Sequence, residues 1–199
     1  MKRTVRAGLV LTAILGTGCA VVPARFAVRD AAGAKAVKRI AIMPFFLANQ
    51  LSVDMDAPDK APGLFSAGRV NYSRMFGATA EKVLGGRFTF VYGAMVEKEL
   101  MQLGHYTGYV PEAGAGQRTG FTIQDAVQVG KALGVDAILI GAYAFGETQQ
   151  MRAYFNEAIS LRLIDVNTGK VLWGVTSRQS DNGGTVMQKA LDKILKEAP

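Results

Sequence analysis

The single cysteine of this 199-residue chain, Cys19, is the side chain with the clearest chemical use. It follows a segment in which Lys2, Arg3 and Arg6 precede an apolar run, residues 9–15, and small residues then lead to the thiol. Positive charge, a short apolar core and small residues, in that order, are typical of an export signal. The apolar run is shorter than the roughly 20 residues that a membrane-spanning helix needs. The thiol therefore lies where such a signal is cut from the exported chain.

A cysteine at that boundary predicts acylation of its thiol. The string Leu15-Gly16-Thr17-Gly18-Cys19 resembles the lipobox of bacterial lipoproteins, although Gly16 stands where leucine is usual. By that resemblance Cys19 becomes the first mature residue and carries fatty acids such as palmitate. Ala20, in place of aspartate, favours the outer membrane. The alternative is an ordinary secretory signal followed by an incidental free thiol, which is unusual in exported proteins.

The other reactive residues form no recognisable catalytic set. His105 is the only histidine and follows Gly104, which predicts a surface loop residue, whereas triads and most zinc sites need a histidine with partners. Ser180-Asp181-Asn182 lacks the Ser-x-x-Lys and Lys-Thr-Gly motifs that accompany it in β-lactamases. Gly114-Ala115-Gly116 lacks the end of a phosphate-binding loop. We therefore expect no catalytic residue, no cofactor and no metal.

Two further patterns, in the last third of the chain, indicate that their residues support the fold rather than bind a ligand. Asp165, Asn167 and Gly169 have the spacing of a calcium loop, but Thr176 stands where the bidentate acid is required. This stretch therefore predicts a hairpin turn. Trp173, the only tryptophan, is predicted to pack in the core or on a sheet face rather than to bind a ligand.

The composition is that of an ordinary globular chain. The 18 signal residues carry three of the positive charges, so the net charge of +7 becomes +4 in the mature chain. This surplus fits attraction to anionic headgroups or acidic envelope polymers. The basic residues form no patch with interleaved aromatic side chains, so we expect no nucleic-acid partner.

The chain divides into three predicted parts. Residues 1–18 are the signal peptide, residues 19–38 a lipidated N-terminus with a flexible tether, and residues 39–199 a single folded domain. A poorly ordered helix over residues 31–36 is the alternative within the tether. The domain has enough apolar material for a full core, since 49% of the chain is hydrophobic.

Within the domain, hydrophobic periodicity predicts alternating strands and helices. A capping box at Thr122 and Asp125 marks the start of one helix. The order of elements indicates an α/β or α+β fold with a mixed sheet flanked by helices. Predicted strands cover residues 39–45, 51–56, 88–92, 135–145, 159–163 and 171–175, and predicted helices cover residues 71–84, 94–103, 122–133 and 185–196.

Several strings resemble the CsgG and TolB amino-terminal superfamily. Ile40-Ala41-Ile42-Met43-Pro44-Phe45 is similar to its opening strand, and Phe88-Thr89-Phe90-Val91 to its second strand. The glycine-bounded apolar block of the superfamily is similar to residues 133–141, and its long hairpin is similar to residues 161–173. The resemblance implies a non-enzymatic bacterial envelope protein. Members include the curli secretion channel, lipoproteins that activate penicillin-binding proteins, and other assembly accessories.

The channel members carry two additional membrane-entering hairpins, and this chain has no room for them. The corresponding gaps, residues 146–156 and 178–184, hold 11 and 7 residues. A membrane-spanning hairpin needs two strands of about 9–11 residues each. The resemblance is therefore to a short member without the channel hairpins.

These features predict a lipoprotein anchored through Cys19 at the periplasmic face of the outer membrane. Its expected role is that of a non-enzymatic binding or assembly factor that recruits an envelope protein through residues 46–65 or a sheet edge. One alternative is a ring-forming subunit of a secretion apparatus, which implies a homo-oligomer. Another is an activator lipoprotein of a peptidoglycan synthase.

Overall fold

A mixed β-sheet forms the centre of the fold. The computed structural model describes residues 24–48, 65–66, 73–105, 120–147, 155–180 and 186–199. The strands in these ranges are β1 (Arg25–Val28), β2 (Arg39–Ile42), β3 (Phe46–Ala48), β4 (Phe65–Ser66), β5 (Thr89–Val91), β6 (Gly120–Phe121), β7 (Ala137–Glu147), β8 (Phe155–Asp165) and β9 (Val171–Ser180).

Seven of these strands belong to one sheet. Its order is β1-β9-β8-β7-β2-β5, and β3 continues the line of β2 by pairing with the second half of β7. The pairs β7–β2 and β2–β5 are parallel, whereas β7–β8, β8–β9 and β9–β1 are antiparallel. β4 and β6 form a separate antiparallel pair. In the described sheet, β1 and β5 are therefore the two edges.

The long strands follow from their sequences. In β7, Ile138 and Ile140 join one core cluster while Leu139 joins the other, so the strand is covered on both sides as its continuous apolar run predicts. β8 and β9 form the predicted hairpin. Its turn is held by the backbone N–H of Thr168, which donates to Asp165 Oδ1 at 2.6 Å. Gly169 supplies the positive φ of +67° that the turn requires.

The described helices are α1 (Ala31–Ala36), α2 (Ser73–Leu84), α3 (Ala94–Gln102), α4 (Ile123–Ala132) and α5 (Val186–Glu197). α4 begins with the predicted capping box: the Asp125 backbone N–H donates to Thr122 Oγ1 at 3.2 Å, and the Thr122 backbone N–H donates to Asp125 Oδ2 at 2.8 Å. These bonds satisfy two backbone donors that the first helical turn leaves unpaired. The sequence therefore fixes where α4 starts.

Helices cover both faces of the sheet. On one face, α2 and α5 bury Phe76 and Leu191 against Trp173 of β9. On the other face, α3 and α4 bury Val96 and Val129 in the second cluster. Removing each such side chain from water contributes about 1.5–3 kcal/mol to folding. The predicted class, a single α/β domain with a mixed sheet flanked by helices, is confirmed.

The N-terminal boundary of the domain differs from the prediction. Residues 25–36, predicted to belong to a flexible tether, instead contain β1 and α1. The helix that the sequence offered as an alternative over residues 31–36 is present as α1. The predicted strand at 51–56 lies outside the described residues. The folded part therefore begins at Arg25 rather than at Arg39.

No helix in the described ranges is both long enough and apolar enough to cross a lipid bilayer.

Candidate functional site

The predicted anchor, Cys19, lies outside the described residues, but the position of the first strand limits how far it can be from the domain. β1 begins at Arg25, six positions after Cys19. An extended chain advances at most about 3.3–3.6 Å per residue, so Cys19 can lie no more than about 20 Å from Arg25. Sequence reasoning missed this short distance because it assigned residues 25–36 to the tether.

β1 is held to the domain by pairing and by packing. Phe26 lies opposite Val175 in the antiparallel register, and its ring centroid lies 5.6 Å from that of Trp173. The backbone N–H groups of Arg29 and Asp30 both donate to the carbonyl of Leu172, at 2.8 and 3.1 Å. β1, the first described strand after the predicted anchor, is therefore an edge strand of the described sheet.

The turn from β1 into α1 is fixed by a side-chain cap. Asp30 Oδ1 accepts a hydrogen bond from the backbone N–H of Gly33 at 2.8 Å, which makes Asp30 the N-cap of α1. Ala34 of this short helix is buried in the core cluster that also contains Leu172. The pattern of Asp30 before an alanine-rich stretch is the sequence signal that could have identified α1.

Positive charge is concentrated where the domain begins. We call residues 25–39 the basic segment, because they carry five basic residues and a single acidic one, Asp30. All five basic residues are exposed: Arg25, Arg29, Lys35, Lys38 and Arg39. Asp136 lies beside the end of the segment, where its Oδ2 accepts the backbone N–H groups of Lys38 and Arg39 at 2.9 and 2.8 Å. The Thr89 backbone N–H of β5 donates to the Lys38 carbonyl at 2.8 Å, and Arg39 pairs with Thr89, so the basic segment extends from β1 at one side of the described sheet to the neighbourhood of β5 at the other.

A polar patch interrupts the apolar sheet on β8 and β9. Ser160 lies opposite Thr176 in the register, and both are buried. Arg162, which is 4% exposed, donates from Nη1 to Ser160 Oγ at 2.5 Å. Thr176 Oγ1 and Arg178 Nε are buried atoms for which the described part of the chain provides no hydrogen-bond partner. The patch has donors and hydroxyls but, among described residues, no base beside a nucleophile.

The opposite edge of the sheet, at β5, lies between α2 and α3. Arg74 of α2 reaches Glu97 of α3 with two hydrogen bonds, at 3.2 and 2.6 Å, and this contact raises the pKa of the guanidinium. The Tyr92 hydroxyl donates to Glu81 of α2 at 2.8 Å, and that bond is the main reason why the pKa of Tyr92 is raised. These contacts join the two helices around the end of β5.

The same two helices carry three strongly exposed methionines. Met75 on α2 and Met95 and Met101 on α3 are 54%, 59% and 61% exposed, more than any other large apolar side chain in the described ranges. Methionine is unbranched and polarisable, and it is common on surfaces that bind protein partners of varied shape. The β5 edge with Met75 and Met95 is therefore the candidate partner surface.

His105 is not the surface loop residue that the sequence predicts. It is 4% exposed, its Nε2 lies 3.4 Å from Asp125 Oδ2, and its ring meets Phe121 edge-on with centroids 6.5 Å apart. The same Asp125 carboxylate also belongs to the capping box of α4. The contacts thus attach the end of α3 to the start of α4, which is a packing role.

The remaining sequence candidates also have structural roles or lie beyond the described ranges. Trp173 is 2% exposed, so its predicted place in the core is confirmed. Asp165 binds Thr168 within the hairpin turn, as predicted. Within the described ranges, no cluster of three or more histidine, cysteine, aspartate or glutamate side chains could hold a metal ion. Residues 114–116, 181 and 182 lie outside them.

Comparison with known proteins gives similarity in structure only. No protein-family model matches the chain, and no curated protein sequence matches it. The fold is similar to a PelC variant dodecamer from Paraburkholderia phytofirmans, with a TM-score of 0.47 and 14% identity over 88% of this chain and 98% of that one.

Two further solved structures are similar at the same level. Lipoprotein GNA1162 from Neisseria meningitidis has a TM-score of 0.45 and 17% identity, over 80% of this chain and 93% of that one. The LpoB C-terminal domain from Salmonella enterica has a TM-score of 0.44 and 14% identity, over 72% and 83%. Because these TM-scores lie below 0.5, they carry no argument about function. The resemblance to the CsgG and TolB superfamily stays a prediction.

Proposed function

We propose that this protein is an envelope lipoprotein, anchored through acylated Cys19 at the periplasmic face of the outer membrane, that recruits an envelope protein without itself catalysing a reaction. The observation that carries the proposal is the six-residue spacing between the lipobox cysteine and β1. A connection of at most about 20 Å, with its cysteine acylated, holds the domain beside the bilayer. A partner must therefore come to the membrane to bind it.

The β5 edge is the surface we assign to that partner. Strand β5 ends the described sheet on the side opposite β1, so the two edges are five strand spacings apart. At about 4.8 Å per spacing, this is about 24 Å. Met75 and Met95 therefore stand well away from the attachment point of the anchor, where a periplasmic protein has access to them.

Mass spectrometry and fractionation test the anchor. The purified protein should begin at Cys19 and carry acyl chains, and it should sediment with outer membranes. The Cys19→Ser variant should be absent from the lipidated fraction. An unmodified thiol, or a mature chain that begins elsewhere, contradicts the proposed anchoring.

Affinity capture from detergent-solubilised membranes tests recruitment. Wild-type protein should recover a stoichiometric envelope protein, and Met75→Ser with Met95→Ser should reduce recovery about tenfold or more, as loss of buried anchor side chains does at interfaces. Leu195→Ser is the matched control, because Leu195 is 48% exposed on α5, away from β5. Equal recovery by all three proteins rules out the β5 edge, and no recovered protein from any of them rules out recruitment.

A second candidate is a ring-forming subunit, favoured by the presence of two unlike edges in the described sheet, β1 and β5. Head-to-tail contact between unlike edges generates rings when the rotation closes. Sizing in mild detergent separates the two candidates. A single monomer peak across concentrations excludes the ring, and a closed oligomer supports it.

A further inference from the structure

The polar patch on β8 and β9 lies on one face of the hairpin. Ile159 and Leu161 belong to the core cluster that α2 and α5 cover. Because side chains alternate along a strand, Ser160, between them, faces the other side of the sheet, and so does Thr176, which lies opposite it in the register. Arg178, two positions further along β9, shares that face. Three polar side chains are therefore neighbours on the face that also holds α3 and α4.

Each of these side chains supplies a hydrogen-bond donor. Arg162 Nη1 donates to Ser160 Oγ at 2.5 Å, so the serine oxygen is the acceptor and its own proton is left to donate. Thr176 is 1% exposed, and its hydroxyl has no hydrogen-bond partner in the described part of the chain. The buried Nε of Arg178 has none there either. Buried polar groups are nearly always hydrogen-bonded, so these donors indicate a missing acceptor.

The surroundings of the patch favour a negatively charged acceptor. The register places Ala158 opposite Arg178, and Ala142 of β7 beside Ser160, so small side chains flank the donors. Among the described side chains on this face of β7, β8 and β9, none is a carboxylate. Arg178 is partly exposed, which opens the patch to solvent at that end. A set of donors beside a guanidinium is complementary to an oxyanion.

We propose that this patch binds a phosphate group. Ser160, Thr176 and Arg178 donate to its oxygens, and Arg162 orients the serine hydroxyl. A phosphate has several acceptor oxygens in a tetrahedral arrangement, so it can accept hydrogen bonds from both strands at once. A carboxylate has two oxygens in one plane, which a single guanidinium fork satisfies. The inference is independent of the proposed anchor at Cys19 and adds a ligand to the protein.

Isothermal titration of the full processed chain, in mild detergent and phosphate-free buffer of constant ionic strength, tests the site with inorganic phosphate. We expect saturable binding by the wild type. Thr176→Val and Arg178→Gln should each weaken binding about tenfold or more, which is the loss expected for a hydrogen bond to a charged group. Thr168→Val removes a hydroxyl in the hairpin turn, and Lys98→Gln removes an exposed charge on α3. Both controls should bind phosphate as the wild type does.

Two other anions define the source and the class of the ligand. Glycerol 3-phosphate that binds as tightly as inorganic phosphate supports a phosphate attached to a larger molecule, such as a lipid headgroup. Binding of inorganic phosphate alone supports the free anion. Acetate should bind about tenfold more weakly or worse, and equal binding of acetate overturns the assignment to phosphate.

The melting temperature without phosphate shows whether each variant is folded. A folded wild-type protein that binds no phosphate overturns the site. Phosphate binding that Thr176→Val and Arg178→Gln both retain at wild-type strength also overturns it. Neither result bears on acylation of Cys19, which mass spectrometry measures separately.

Discussion

Individual residues in the core have little freedom to change. Gly141 of β7 faces Phe45, and a Cβ built on it would lie 2.1 Å from the Phe45 ring. That ring cannot move aside easily, since it is fully buried and packs edge-on against Phe76 with centroids 4.8 Å apart. The glycine is therefore required because an aromatic side chain occupies the space above the strand.

Gly141→Ala should consequently destabilise the domain. Inserting a methyl group into a filled core costs about 1–3 kcal/mol, which should appear as a lower urea midpoint in chemical unfolding. Gly86→Ala is the control, because a Cβ there meets nothing within 4 Å. If both variants unfold at the same denaturant concentration, the contact between Phe45 and β7 is not as described.

In the polar patch, by contrast, we expect a substitution of Thr176 not to destabilise the domain. Its buried hydroxyl finds no hydrogen-bond partner within the described ranges, so Thr176→Val should leave the free energy of unfolding unchanged or raise it by up to about 1 kcal/mol. Thr168→Val should lower it by about 1 kcal/mol, because the Thr168 hydroxyl donates to Asp165 Oδ1 at 2.8 Å. A destabilised Thr176→Val protein would show that bound water or a ligand occupies the patch.

At the scale of elements, the long periodic segments could be predicted, as could β2 and β5, but β1 could not. α2, α3, α4 and α5 begin and end within two residues of their predicted bounds, because each has a sustained apolar stripe. β1, by contrast, has four residues, and its partner β9 lies about 150 residues further along the chain. A pattern of four residues is too short to separate a strand from a tether.

The candidate functional residues also fall into those that could be predicted from adjacent sequence and those that depend on the fold. Acylation of Cys19 stays a prediction, and it rests on adjacent residues alone, because a signal and its cleavage boundary are local in sequence. The basic segment could be counted but not placed, since the pairing of β1 with β9 and of β2 with β5 puts its two ends on opposite sides of the described sheet. His105 was misjudged because its burial depends on Phe121 and Asp125, which are brought to it by the fold.

Phe26→Ala tests whether β1 belongs to the cooperative fold. Full truncation of a buried phenylalanine costs about 3–5 kcal/mol, and Phe26 is only partly buried against Trp173, so we expect about half of that loss. Thermal unfolding of the detergent-solubilised protein gives the measurement. Phe26→Leu, which keeps much of the apolar contact, should recover most of the stability. An unchanged melting temperature for Phe26→Ala would contradict the inclusion of residues 25–28 in the cooperatively folded domain.

For the whole molecule, β1 and β5 place two separate surfaces at the two edges of the described sheet. The β5 edge, with the ends of α2 and α3, is the surface that we propose for the partner. Substitutions more than about 7–10 Å apart, with no shared contacts, act additively. Since the edges are about 24 Å apart, changes at one should not alter the other.

This separation can be measured with the variants already described. Phe26→Ala, at the β1 edge, should lower the melting temperature while leaving partner recovery, measured where the variant is still folded, within about twofold of wild type. Met75→Ser with Met95→Ser should lower partner recovery and leave the melting temperature unchanged, and the combined protein should show both losses undiminished. If the two methionine substitutions also lowered the melting temperature, these side chains would support the fold as well as the proposed partner surface. A folded Phe26→Ala protein that lost partner recovery would contradict the assignment of the partner to the β5 edge alone.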